Sequence, residues 1–138
     1  MKEINISKSV MKKEKEDNKR DEEIINRYLR DLDRDIKERT FDVKDIPSEL
    51  IAIAEMYDLL IDKEKWLENI YILLTNMKRE IKDVHPIAFF GGLAEMAFST
   101  TLISKKTGHY VKFKKQINDM LYSNMLIMTK DFEEKKII

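Results

Sequence analysis

Chain breakers are scarce in this sequence, and they are bunched. Gly91, Gly92, Gly108 and Pro86 all lie between His85 and Asn118, leaving Pro47 as the only other residue of either kind. Two segments with helical periodicity sit between these breakers, so the stretch reads as a helical hairpin. Its first helix opens at Gly91-Gly92 and carries small or apolar residues on most positions: Leu93, Ala94, Met96, Ala97, Phe98, Leu102 and Ile103. A helix with so little surface suited to water needs neighbours on several sides. Lys105-Lys106-Thr107-Gly108 then supplies a basic last turn that complements the helix dipole, and a glycine that permits a left-handed stop. The second helix, from about His109, places Tyr110, Phe113, Ile117, Met120, Leu121 and Asn124 at three- and four-residue steps, which predicts one buried face and one lysine-rich face.

So few breakers in a chain that is 43% apolar and 38% charged imply an all-α protein of about one domain. Lys plus Arg and Asp plus Glu both number 26, so no global field gathers nucleic acid or an anionic membrane. The lack of cysteine excludes disulfides, thiolate nucleophiles and cysteine zinc sites, and fits a reducing compartment. No apolar run reaches spanning length and no secretory signal pattern opens the chain, so the expected location is the cytoplasm.

Taken in order, residues 1–19 form a charged lead-in, disordered or frayed helix, in which acids interleave with Lys12, Lys13 and Lys15 and so argue against a basic nucleic-acid arm. From Asp21 to Arg39, Ile24, Ile25, Tyr28, Leu29, Leu32 and Ile36 recur at helical steps and predict an amphipathic helix. Asp31, Asp33 and Asp35 lie inside that periodicity without the glycine or distal glutamate of a calcium loop, so they read as a solvated face. Thr40 to Ile46 is a connector, with Ile46 pushed toward extended geometry by Pro47, and Pro47-Ser48-Glu49 opens a nearly all-round apolar helix reaching Ile61. After the polar break Asp62–Lys65, the positions Trp66, Ile70, Leu73, Leu74, Met77 and Ile81 mark another amphipathic helix ending near Lys82. The helical domain is expected over 20–130, with 131–138 a frayed tail whose final Ile137-Ile138 would suit a chain that once continued.

The two hairpins read as copies of one design. Ser48, Leu50 and Ala54 match Gly91, Leu93 and Ala97 at a period of 43 residues, and Trp66, Leu73 and Met77 match Tyr110, Ile117 and Leu121 at 44. That period belongs to paired-helix repeats, in which each unit buries its faces against its neighbours.

Few residues offer chemistry. His85 and His109 each stand alone at a helix boundary with no partner at metal-sharing spacing, so each reads as a cap or turn residue. Glu95, a carboxylate in the first turn of an apolar helix, reads as a partner of the helix N-terminus, with a carboxylate base as its alternative role. Ser99, Thr100 and Thr101 lack a nucleophile's surroundings, and Gly91-Gly92 lacks the Lys-Ser/Thr of a phosphate loop. The eight methionines fall mostly at apolar helical positions, as core filler or as an adaptable peptide-binding face. No catalytic, cofactor-binding or metal-binding residue is assigned.

Gly92-Leu93-Ala94-Glu95-Met96-Ala97-Phe98, followed by Ser104-Lys105-Lys106-Thr107-Gly108-His109-Tyr110 and an amphipathic helix, resembles a repeat unit of the lanthionine synthetase C-like (LanC-like) family. In that family a Gly-Leu-x-Gly-Ile-Ala phrase begins an inner helix of an α/α toroid. Here Glu95 stands at the second glycine and Met96 at the isoleucine, and in the earlier copy Glu49 and Ala52 stand at the two glycines. The resemblance covers about Pro47 to Met125 and implies an N-terminal arc of αα-hairpin repeats. It implies a place in lanthipeptide (lantibiotic) biosynthesis, where full-length members close thioether rings with a zinc held by two cysteines and a histidine. None of those three ligands can be matched here, so the chain is expected to be a truncated relative or N-terminal fragment, without cofactor and not competent for cyclisation alone. Its partners would be a precursor peptide or a complementing chain, with self-association, since two repeats are fewer than a stable stack needs. The rival expectation is a helical-repeat adaptor that binds a protein or peptide. A small enzyme using Glu95 and a histidine is the third.

Overall fold

The computed structural model describes the backbone of residues 2–137 and the side chains of residues 9–134. Met1 and Ile138, the outermost residues of the expected lead-in and tail, lie outside them. The described chain is all-α, with five helices and no strand, and it divides into two units, Met1–Thr40 and Phe41–Ile138.

The first unit is one helix, α1, Lys2–Glu38. It runs through both the charged lead-in and the amphipathic stretch, because Lys and Glu are good helix formers even where they bury nothing. Of the expected apolar stripe, Leu32 and Ile36 are buried, whereas Ile24 and Tyr28 are exposed. The helix stops on a residue other than glycine. Arg39 adopts a left-handed conformation at φ 56°, its N–H bonds Ile36 O at 3.2 Å and the Thr40 N–H bonds Asp35 O at 2.9 Å. Together these are the two hydrogen bonds of a Schellman stop.

The second unit holds α2 (Ile46–Met56), α3 (Lys63–Arg79), α4 (Leu93–Thr107) and α5 (Val111–Ile137). Pro47 stands in the first turn of α2, where its missing N–H costs nothing. Ile46 is helical (φ −56°, ψ −48°), not extended, because the 3-10 turn Val43–Asp45 feeds directly into α2 and the Ile46 N–H bonds Val43 O. The expected helix to Ile61 ends at Met56: a 3-10 turn follows, Leu60 is extended, and Leu59 and Ile61 lie exposed. Asp62 then caps α3, its side chain accepting from the Lys65 N–H at 3.1 Å.

In α3, Trp66, Ile70, Leu73, Leu74 and Met77 are buried, an unbroken stripe at three- and four-residue steps. Helices α2 and α4 pack on each other, α3 packs on α2 and α5 on α4. The core between them holds Leu50, Ile53, Ile70, Leu74, Leu93, Met96 and Ile103, each fully buried aliphatic or Met side chain contributing about 1.5–3 kcal/mol. Helix α4 stops as its sequence predicts: Gly108 is left-handed and its N–H bonds Ser104 O at 2.8 Å.

Tyr110 departs from expectation. It precedes α5 at φ 65°, so it does not occupy the position in its hairpin that Trp66 holds inside α3. Of the face expected to be buried in α5, Ile117 is buried and Met120 is exposed. From Met125 to Glu134 every side chain is exposed, so the helix continues through the expected frayed tail beyond the packed part of the unit. Among the described residues no helix is long and apolar enough to cross a membrane.

Candidate functional site

The chain bends closely on itself where α4 begins. Gly91 is left-handed at φ 70°, and Gly92 takes the N-cap position in extended geometry. A Cβ on Gly92 would lie 2.2 Å from the carbonyl oxygen of Ala88, so only glycine fits. The bend is closed by backbone hydrogen bonds from Leu93 N–H to His85 O at 2.9 Å and from Ala94 N–H to Ala88 O at 3.2 Å. Two of the first amides of α4 are thereby used internally, and this helix start has correspondingly less to offer an anion.

His85 belongs to this bend. Its Nδ1 accepts the N–H groups of Ile87 at 3.2 Å and Ala88 at 2.9 Å, which makes the imidazole a turn-holding group, as its boundary position predicts. His109 lies beyond the other end of α4, its backbone N–H donating to Thr107 Oγ1 at 3.1 Å. The 15 residues of α4 put about 22 Å of helix between the two ends, so the histidines cannot act on one substrate atom. Among the described residues no group of three or more His, Asp or Glu side chains could hold a metal ion. The aspartates of α1 follow the solvated reading, with Arg34 3.6 Å from Asp31 and 3.8 Å from Asp35.

A cleft of about 350 Å³ opens beside the bend. It is lined by Asp42, Val43, Lys44 and Pro47 from the start of α2, Glu80, Asp83 and Val84 from the end of the α3 region, and Gly91, Gly92, Glu95 and Met96 from the start of α4. Glu95, half-buried, is thus brought into a concave surface while His85 and His109 are not among its lining residues. General acid-base work needs a second positioned group, and the cleft brings carboxylates and one lysine together without a histidine.

Two of the three mid-helix hydroxyls are structural, whereas the buried Thr100 hydroxyl has no hydrogen-bond partner among the described residues. Ser99 Oγ donates to Met96 O at 3.0 Å, and Thr101 Oγ1 accepts from Asn118 Nδ2 at 3.1 Å, tying α4 to α5. At the far end of the hairpins, Lys106 donates to Asp58 at 2.7 Å. That hydrogen bond and the opposite charge hold the Asp58 carboxyl below, and the Lys106 ammonium above, their usual ranges. The Tyr110 hydroxyl donates to Leu67 O; burial first, then the neighbouring Tyr57, pushes its pKa up to about 12.

Sequence reasoning missed the cleft, because its walls come from three separated segments whose carboxylates show no shared spacing. It also missed the fully buried Asn69 on α3. The methionines divide: Met77 and Met96 are core, whereas Met120, Met125 and Met128 are exposed along α5. Comparison of the chain with protein-family models, with curated proteins and with solved structures gives no match.

Proposed function

We propose that this chain is a non-catalytic arc of a lanthionine synthetase C-like α/α toroid, acting in lanthipeptide biosynthesis beside a chain that carries the zinc site. The observation that carries the reading is the order of packing: α2 lies on α4, and each keeps its own hairpin partner, α3 or α5. The outer helices also meet like with like, since Tyr71 of α3 stacks edge-on against Phe113 of α5 at 6.1 Å and Lys78 donates to Gln116 at 3.0 Å. Side-by-side hairpins with inner helix on inner helix are what a toroid wall is built from. The proposed setting is the cytoplasm, with a precursor peptide or complementing chain as partner and self-association when that partner is absent.

The test mixes the purified chain with a candidate partner carrying the family's two cysteines and histidine, then measures zinc uptake and thioether formation on a precursor peptide. Gain of both only in the mixture is expected. Failure of both leaves a scaffold role alone, and a monomer at micromolar concentration by sedimentation counts against self-association.

The adaptor reading has its own support. Met125, Leu126, Ile127, Met128 and Phe132 are all exposed on α5, and adaptable methionine-rich helical surfaces suit peptide or protein partners. Loss of zinc uptake and thioether formation in the mixture, together with retained pull-down of a partner by wild type but not by Met125→Ser/Met128→Ser, would favour it.

A further inference from the structure

We propose that the cleft beside the α4 bend docks an extended peptide segment carrying an apolar side chain next to an arginine or lysine. The proposal stands apart from the cyclase reading, because it needs neither zinc nor a second chain. Apolar side chains of Val43, Pro47, Val84 and Met96 line the cleft, which gives an incoming aliphatic or aromatic side chain surface to bury. The charge is one-sided: Asp42, Glu80, Asp83 and Glu95 share the lining with a single cation, Lys44. The whole chain has formal net charge zero, so this is a local excess of negative charge.

Three of those carboxylates are uncommitted. The side chains of Glu80, Asp83 and Glu95 make no hydrogen bond or ion pair among the described residues, whereas Asp42 accepts from the Lys44 N–H at 3.0 Å. A cleft of about 350 Å³ lies at the small end of ligand sites and holds a few side chains, not the length of a helix. Next to Gly91 in the chain, Phe90 is 87% exposed and meets Phe89 edge-on at 5.2 Å. Phe90 is not among the residues that line the cleft, so recognition rests on the apolar lining and the carboxylates alone. An apolar cleft bordered by carboxylates selects against acidic segments and for mixed basic-apolar ones.

The experiment titrates the full chain into a short fluorescein-labelled peptide of alternating Arg and Leu, read by fluorescence anisotropy. Two control peptides carry Glu in place of Arg, or Ser in place of Leu. Saturable binding of the Arg-Leu peptide that weakens with salt is expected, with both controls weaker by roughly tenfold or more. The variant Glu80→Gln/Asp83→Asn/Glu95→Gln should lose roughly tenfold in affinity while keeping its circular dichroism spectrum, and Glu133→Gln/Glu134→Gln on α5 should bind as wild type. Amide shift mapping on the unmutated chain should place the perturbation at Val84, Gly91 and Gly92. The proposal is overturned by absence of saturable binding, by equal binding of the Glu peptide, by unchanged affinity of the triple variant, or by shifts confined to α5.

Discussion

The two hairpins of the second unit reach similar shapes by different means. In α2–α3 the start is set by Pro47 and the turn is closed by the Asp62 carboxylate on the Lys65 amide, a side-chain device that other polar residues can replace. In α4–α5 the start requires Gly92 because a backbone carbonyl occupies the space of any side chain, and the turn runs through two left-handed residues, Gly108 and Tyr110. The first hairpin relies on a side-chain cap, the second on backbone hydrogen bonds made inside a steric fit that only glycine meets. Interchangeable caps make a tolerant hairpin, whereas excluded volume makes a brittle one.

If the core is shared evenly, truncating either inner helix should cost the same. Ile53 and Ile103 are both fully buried, so Ile53→Ala and Ile103→Ala should each lose about 2–5 kcal/mol in urea unfolding; a large inequality would show that one hairpin carries the core. Next comes Gly92→Ala, where the new Cβ must displace Ala88 backbone. A loss of about 1–3 kcal/mol is expected, with collapse of the amide chemical shifts from His85 to Ala94. Asp62→Ala removes only a cap and should cost about 1 kcal/mol, with Asp62→Ser recovering most of it. If Gly92→Ala proved the milder change, the contrast between tolerant and brittle hairpins would fail.

Tyr110→Phe tests the link between the hairpins, removing the hydrogen bond to Leu67 O at a cost of about 1 kcal/mol below pH 10. The sign with pH follows from the raised pKa. The phenol ionises more easily in the unfolded chain, near 10, than in the folded one, at about 12. Its contribution is therefore full below pH 10 and is lost as pH rises through about 12. The wild type should lose stability over that window more steeply than Tyr110→Phe, as measured by urea midpoints at matched ionic strength.

Helices were legible in the sequence where their signals are local. Gly108 after two lysines, and the spacing of Trp66, Ile70, Leu73, Leu74 and Met77, each carry their own message, and the structure follows them. The end of α2 was not legible: Leu59, Leu60 and Ile61 continue an apolar pattern, yet only Leu60 is buried, because the decision to turn lies with Asp62 and the packing beyond it. Gly92 advertised a helix start but not the Ala88 carbonyl that makes it necessary. His85 was legible as a turn residue, without any hint that its ring accepts two amides. Glu95 could be placed at a helix N-terminus from sequence, but its neighbours in the cleft are brought from residues 42–47 and 80–84, contacts that no periodicity encodes.

Arg39 shows how a backbone shape can be imposed on a residue ill-suited to it. The two closing amides at the end of α1 demand a left-handed turn, and any L side chain holds that turn at a penalty that glycine escapes. Arg39→Gly should accordingly stabilise the protein slightly, by about 1 kcal/mol or less once the greater freedom of the unfolded glycine is subtracted, read as a small rise in the urea midpoint. This left-handed stop, one residue beyond Glu38, is a ready point for strengthening the protein at its surface.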